Sequence, residues 1–296
     1  RPSIGSWVSY GLGTENENLP AFLTINPNIR SDGGSVQLYG SAFLPAVYQG
    51  TAVGNPAGVD AKNASISYLQ DRSISPRMQR KQLDLLQEMN RAHLEKLETD
   101  RQMEGLAESF ELAFRMQAEA PDLIDLETES QATRDLYGIG EKETDNFGRQ
   151  CLMARRFAEA GVRFIQITDN GWDSHAKILS AHPKRCKAVD KPIAGLIEDL
   201  KARGLFDDTL LVWSGEFGRT PHFQDLDDGN GNMDTYGRGH NPYGFCAWMA
   251  GAGVKGGLTY GRTDDFGYRP IEGKIHLHDL HATLLHLLGL NHEALT

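Results

Sequence analysis

The stretch Ser214-Gly215-Glu216-Phe217-Gly218-Arg219-Thr220-Pro221 puts a carboxylate and a guanidinium directly after the apolar run Leu210-Leu211-Val212-Trp213. An apolar run that stops at Gly-acid-x-Gly-Arg reads as a buried strand delivering charged groups to the mouth of a sheet, where α/β proteins bind ligands. A carboxylate binds a cation. The planar fork of an arginine matches a phosphate or sulfate oxyanion. Glu216 is therefore a candidate metal ligand or base, and Arg219 a candidate oxyanion clamp. The alternative is an internal Glu216–Arg219 ion pair that only fixes the loop. The first reading implies a metal-assisted site for a phosphate or sulfate ester.

Histidine placement extends that reading. Nine of the ten histidines fall between His175 and His292. In Asp169-Asn170-Gly171-Trp172-Asp173-Ser174-His175, Asp173 and His175 are two residues apart, so an extended loop aims both side chains the same way. Carboxylate plus imidazole suits zinc, manganese or iron; the alternative role for Asp173 or Ser174 is to cap the helix that follows. His240 sits in Gly237-Arg238-Gly239-His240-Asn241-Pro242, where glycines let an imidazole approach a ligand closely; the alternative is a surface turn. His276-Leu277-His278-Asp279-Leu280-His281 is dense in ligand-type residues but runs into a leucine-rich helix, so part of it serves the helix start. A binuclear hydrolase centred on His276–His281 is a third reading. The acidic, glycine-rich stretch from Asp225 to Asp234 allows calcium but lacks the spaced glutamate of the helix-loop-helix calcium motif. Ser3, Ser6 and Ser174 are possible nucleophiles, none in a nucleophile-elbow pattern.

These groups need elements to hold them. Pro2 to Trp7 can open a short helix ending at Gly11 or Gly13. Ala21–Ile25 and Phe43–Tyr48 read as extended runs. Residues 73–145 are charged and nearly free of glycine, with apolar residues at helical spacing: Leu83, Leu86, Met89, His93 and Leu97, then Leu106, Phe110, Phe114 and Met116. They predict two or three amphipathic helices, an insertion spanning residues 60–145. Beyond it the pattern alternates: a helix capped by Thr144 or Asp145 and stopped by Gly161, a strand at 162–167, a helix over 176–203 broken near Pro183 or Pro192, strands at 209–213 and 243–250, and a last helix capped by Asp279 and stopped by Gly289. Alternation of this kind predicts an α/β domain with a mainly parallel sheet sandwiched by helices.

Composition sets limits. A net charge of −10 and no basic block argue against nucleic acid as partner. No apolar stretch reaches the roughly 18 residues that would span a bilayer. Three widely separated cysteines, Cys151, Cys186 and Cys246, make neither a disulfide framework nor a CxxC zinc site. No signal peptide is visible.

Taken together, residues 1–13, Glu15–Pro20, Gly171–His175, Gly215–Pro221, His240–Gly244 and Asp279–Gly289 resemble the sulfatase-like family called domain of unknown function 1501, over essentially the whole chain. That family is similar to the alkaline phosphatase superfamily. The resemblance implies the corresponding α/β fold and a divalent metal, zinc or manganese. It also implies a small-molecule or carbohydrate ester as substrate and a periplasmic or secreted location. It places Asp173, His175 and His240 among the metal ligands and Glu216 where the superfamily has an aspartate ligand. His281 stands in the alanine position of the superfamily's last helix and is a further candidate ligand. Phe217 occupies the place of a histidine, which removes one imidazole from the second metal position. The superfamily's first strand and nucleophile normally precede this region, so the chain is expected to lack the N-terminal part of the domain. The alternative function is a catalytically incomplete, secreted binding or scaffold protein that retains the fold.

Overall fold

Phe22-Leu23-Thr24-Ile25 has no polar face to turn to water, and strand β1 (Phe22–Ile25) is buried at all four positions. It is the middle strand of a parallel sheet, flanked by β2 (Thr51–Val53) and β3 (Phe164–Ile167), with Leu23 beside Thr51 and Phe22 beside Phe164. Burial on both faces is the usual state of a parallel sheet, and it explains why the run does not alternate. The computed structural model describes residues 1–26, 38–54, 60–67, 69–70, 73–94, 101–225 and 235–294. The chain is α/β and divides into two compact units, Arg1–Asp169 and Asn170–Thr296. Among the described residues no helix is long and apolar enough to cross a membrane.

In the first unit, α1 (Ile4–Leu12) starts at Ser3, whose Oγ accepts the Ser6 N–H, and ends at Gly13, where φ is 67°. It lies tightly on the sheet: a Cβ on Gly5 would come within 2.6–2.7 Å of the Phe22 and Phe164 rings. The other cover is α5 (Asp145–Glu159), which buries Phe147, Cys151, Leu152 and Phe157. Each large side chain so buried stabilises by about 1.5–3 kcal/mol. The expected capping by Thr144 takes another form, since its hydroxyl donates to Gly138 O at 2.6 Å. Between sheet and α5 the chain runs through α2 (Pro76–Leu94), α3 (Arg101–Ile124) and the short α4 (Gln131–Leu136). Leu83 and Met116 are buried as their spacing predicts, whereas Met89 and Phe110 face solvent. Leu97 lies outside the described residues. Phe43–Tyr48 is not a strand; it forms a turn and one 3₁₀ turn at Ala46–Tyr48, because Pro45 fixes its own backbone and offers no donor to a ladder.

The second unit differs from the expectation in its pairing. Helix α6 (Ile178–Ala202) runs unbroken through Pro183 and Pro192. Strand β4 (Leu211–Ser214) pairs antiparallel with β9 (Ala247–Ala250). Inside that pair, β5 (Gly218–Arg219) joins β8 (His240–Asn241), and inside that again β6 (Gln224–Asp225) joins β7 (Tyr236–Gly237). Residues 211–225 and 236–250 thus pair as nested antiparallel rungs, where the sequence suggested neighbouring parallel strands. Among the described residues parallel pairing is confined to β1, β2 and β3. Tyr243–Cys246 falls outside the ladder, and residues 226–234 of the acidic stretch lie outside the described residues. A small hairpin, β10 (Arg262–Thr263) with β11 (Pro270–Glu272), leads to α7 (Leu277–Leu287). The cap of α7 is His276; Asp279 sits at its third position and accepts the His276 N–H at 2.6 Å, completing a capping box.

Candidate metal centre

All the residues brought together belong to the second unit. Arg219 and His240 are directly opposite each other in the β5–β8 pair. Facing residues of an antiparallel pair hold their side chains about 5 Å apart at Cβ, so the two-residue ladder itself puts a guanidinium beside an imidazole. The loop before α6 supplies Asp173 and His175. It is clipped to the ribbon by Arg238, whose N–H donates to Ser174 O at 3.0 Å. It also presses against Gly237, where a Cβ would come 2.5 Å from Ala176 N and closer still to the His175 carbonyl. The arm around Arg219 is braced as well. The Thr220 N–H donates to Gly239 O and its Oγ1 accepts the Gly239 N–H, both at 3.0 Å, and the Arg238 Nη1 donates to Thr220 O and Pro221 O at 2.8 and 2.9 Å.

The result is a convergence of three ligand-type atoms. Asp173 Oδ1, His175 Nε2 and His240 Nε2 all lie within 4.8 Å of one another. The two Nε2 atoms are 2.9 Å apart, and Asp173 Oδ1 is 3.0 Å from His175 Nε2 and 3.4 Å from His240 Nε2. For a tetrahedral zinc with bonds of about 2.05 Å, neighbouring ligand atoms sit roughly 3.3 Å apart. The three spacings bracket that edge. The tautomer also fits: His175 Nδ1–H donates to Gln224 Oε1 at 2.8 Å, which leaves the His175 Nε2 lone pair facing the cluster. In that tautomer the 3.0 Å approach of His175 Nε2 to a carboxylate oxygen sets acceptor against acceptor. A proton or a cation relieves it.

Arg219 completes the electrostatics. Its Nη2 donates to Asp173 Oδ1 at 2.5 Å and its Nη1 to Arg238 O at 3.3 Å. The guanidinium bond holds the Asp173 carboxyl below the usual carboxylate range; burial opposes it, and His240 adds a smaller lowering contribution. Phe217 lies with its ring centroid 4.5 Å from that of His240 and 6.0 Å from Arg219 Cζ, so it buttresses both. The side chain of Asp173 is 64% exposed and that of His240 48%, which leaves the cluster open to a ligand. Glu216, in the turn between β4 and β5, and His281, on the exposed side of α7, are not part of the three-residue cluster. Two of the serines weighed as nucleophiles have structural tasks, Ser3 as a helix cap and Ser6 as a donor to Gly40 O at 3.2 Å. Sequence reasoning missed Gln224, Thr220 and Arg238, which orient the cluster. A glutamine in a two-residue strand carries no periodic signal that could have marked it.

A family model described as a protein of unknown function, DUF1501, matches residues 1–296. The chain belongs to the DUF1501 family. Neither a curated protein nor a solved structure was found to match it significantly. For this DUF1501 chain, functional meaning therefore rests on the geometry of the cluster.

Proposed function

We propose that this chain is a metal-dependent hydrolase of phosphate or sulfate esters on an alkaline phosphatase-like scaffold. The observation that carries the reading is the meeting of Asp173, His175 and His240 at metal-ligand spacing with the Arg219 guanidinium bonded to the same carboxylate oxygen. Two imidazoles and a carboxylate are a donor set for zinc or manganese. Such a cation, when bound, supplies Lewis acidity toward an ester oxygen. Arg219 is positioned to take the charge of a transferring oxyanion, since its fork needs only to release Asp173 to reach one. Gln224 fixes the ring of His175, and Phe217 that of His240. Glu216 lies two residues beyond β4 and is the carboxylate that would hold a second cation or act as a base. The family resemblance favours a small-molecule or carbohydrate ester as substrate and a periplasmic or secreted setting.

One observation favours a second reading, a binding or scaffold protein with the same fold. Phe217 stands in the chain where the family resemblance would put a second imidazole, and its ring packs on His240. Two measurements separate them. Elemental analysis after supplying zinc and manganese tests the metal. A panel of chromogenic phosphate and sulfate esters, run with wild type and His175→Ala, tests the chemistry. Bound metal with ester hydrolysis lost in His175→Ala supports the hydrolase. Bound metal without turnover supports the scaffold. No bound metal removes the first reading.

A further inference from the structure

The first unit holds a cleft of about 750 Å³ between the end of α1, α2 and α3, inside the size range of small-molecule sites. Helix α2 turns an unusual stripe toward it: Arg80, Asp84, Gln87 and Arg91, spaced so that one face of the helix is polar along its length. Helix α3 answers with Glu108, Glu111 and Arg115.

Part of this charge is already matched. Arg80 donates Nη1 and Nη2 to the two oxygens of Glu111 at 2.8 and 2.7 Å, and Nε to Asp84 Oδ1 at 2.8 Å. This triad forms a rigid polar floor. The rest is held open. Arg115 uses only its Nε, donating to Glu17 O at 2.8 Å. Among the described residues, the Arg91 guanidinium and the Glu17 and Glu108 carboxylates take part in no hydrogen bond or ion pair. The cleft thus presents donors on Arg91 and Arg115 and acceptors on Glu17 and Glu108; with Arg80, Asp84 and Glu111 included, its lining carries three arginines and four carboxylates.

The mixture of groups that only donate and groups that only accept selects a ligand class. An anion that reaches the arginines also meets the glutamates, and a cation meets the reverse. A hydroxyl both donates and accepts, so a neutral ligand rich in hydroxyls satisfies both sets at once. The apolar part of the wall, Val47, Tyr48 and Leu112, offers a face for the C–H side of a sugar ring. Tyr48 is held edge-on against Tyr10 with ring centroids 5.3 Å apart. We propose that this cleft is a binding site for a short neutral oligosaccharide. The proposal is independent of the metal centre, whose residues all lie in the other unit.

Saturation-transfer NMR and calorimetric titration of the full chain test it, with maltotriose, cellotriose, xylotriose and chitotriose as neutral probes and trigalacturonate and inorganic phosphate as anionic ones. The expected result is binding of at least one neutral trisaccharide and neither anion at the cleft. Arg91→Gln and Glu108→Gln, both at exposed positions, should each weaken it about threefold to tenfold, the effect of one lost hydrogen bond. His240→Ala should leave it unchanged. The proposal is overturned if no neutral trisaccharide binds. Binding insensitive to both cleft substitutions or abolished by His240→Ala, or an anionic probe displacing the sugar, also sinks it. Circular dichroism of each variant confirms that the helices persist.

Discussion

At Gly237 the candidate metal centre is sensitive to a single methyl group. Its Cα faces the His175–Ala176 backbone so closely that a Cβ would lie 2.5 Å from Ala176 N, against about 3.4 Å for ordinary contact. In Gly237→Ala one of the two strands of chain must therefore retreat by at least about 0.9 Å. The retreat separates His175, on the loop, from His240 and Arg219, on the ribbon. Metal sites hold their ligand distances to about ±0.2 Å, so a shift of this size removes at least one ligand. We expect zinc affinity to fall at least roughly 100-fold, about 2.7 kcal/mol, with an overpacking cost to folding of about 1–3 kcal/mol. Gly239→Ala is the matched control, because its Cβ would lie 3.6 Å from Gln224 Oε1 and from Thr220, ordinary contact. Calorimetric zinc titrations of the three proteins, with circular dichroism to confirm folding, decide the matter. Unchanged affinity in a folded Gly237→Ala protein refutes the geometric argument, as does an equal loss in Gly239→Ala.

Further outcomes follow from other contacts. Gln224→Leu removes the acceptor that fixes His175 and should weaken zinc about 10-fold to 100-fold, the usual effect of losing a ligand's outer partner, as read by competition with a chromophoric chelator. In Glu129→Ala, Arg155 and Arg156 both lose an oxygen 2.6 Å away. Arg155 is only 2% exposed but keeps Glu159, so urea unfolding should show a loss of about 3 kcal/mol. The folded-state pKa of Asp173 is depressed, so its contribution is present above the unfolded value of about 3.9 and is lost as pH falls through the lower folded value. The stability gap between wild type and Asp173→Asn should therefore be flat above about pH 5 and close in stronger acid; a gap that persists unchanged there counts against the Arg219–Asp173 bond.

The sequence foretold the elements better than their pairing. Helix α1 opens within Pro2–Trp7 and ends at Gly13, one of the two stops the sequence offered, and the apolar run at 22–25 is the strand it resembles. Asp173, His175 and His240 were recognisable because ligand types at short spacing beside glycines are locally legible, and the structure brings all three together. Glu216 was equally conspicuous, yet it stands outside the cluster, since adjacency to Arg219 along the chain says nothing about which side of a ribbon each occupies. The nested ribbon was illegible for a related reason. Its inner rungs are two residues long, too short for a two-residue alternation to show. The helical face of α2 misled in the opposite way: Leu83 is buried but Met89 is not, because Arg80 and its partners, not the leucines, face the cleft.

Nested pairing also sets which length changes the site can survive. Arg219 and His240 share a rung, and the rungs on either side fix its register. Segment 226–234 follows β6 and precedes β7 in the chain, so a change of length there alters the register of no rung. A single deletion between Arg219 and Gln224 instead slides one arm by a residue, which in a ladder of period two turns side chains to the opposite face. Sequence comparisons within the family should therefore find gaps concentrated at 226–234 and absent from 218–225 and 235–241.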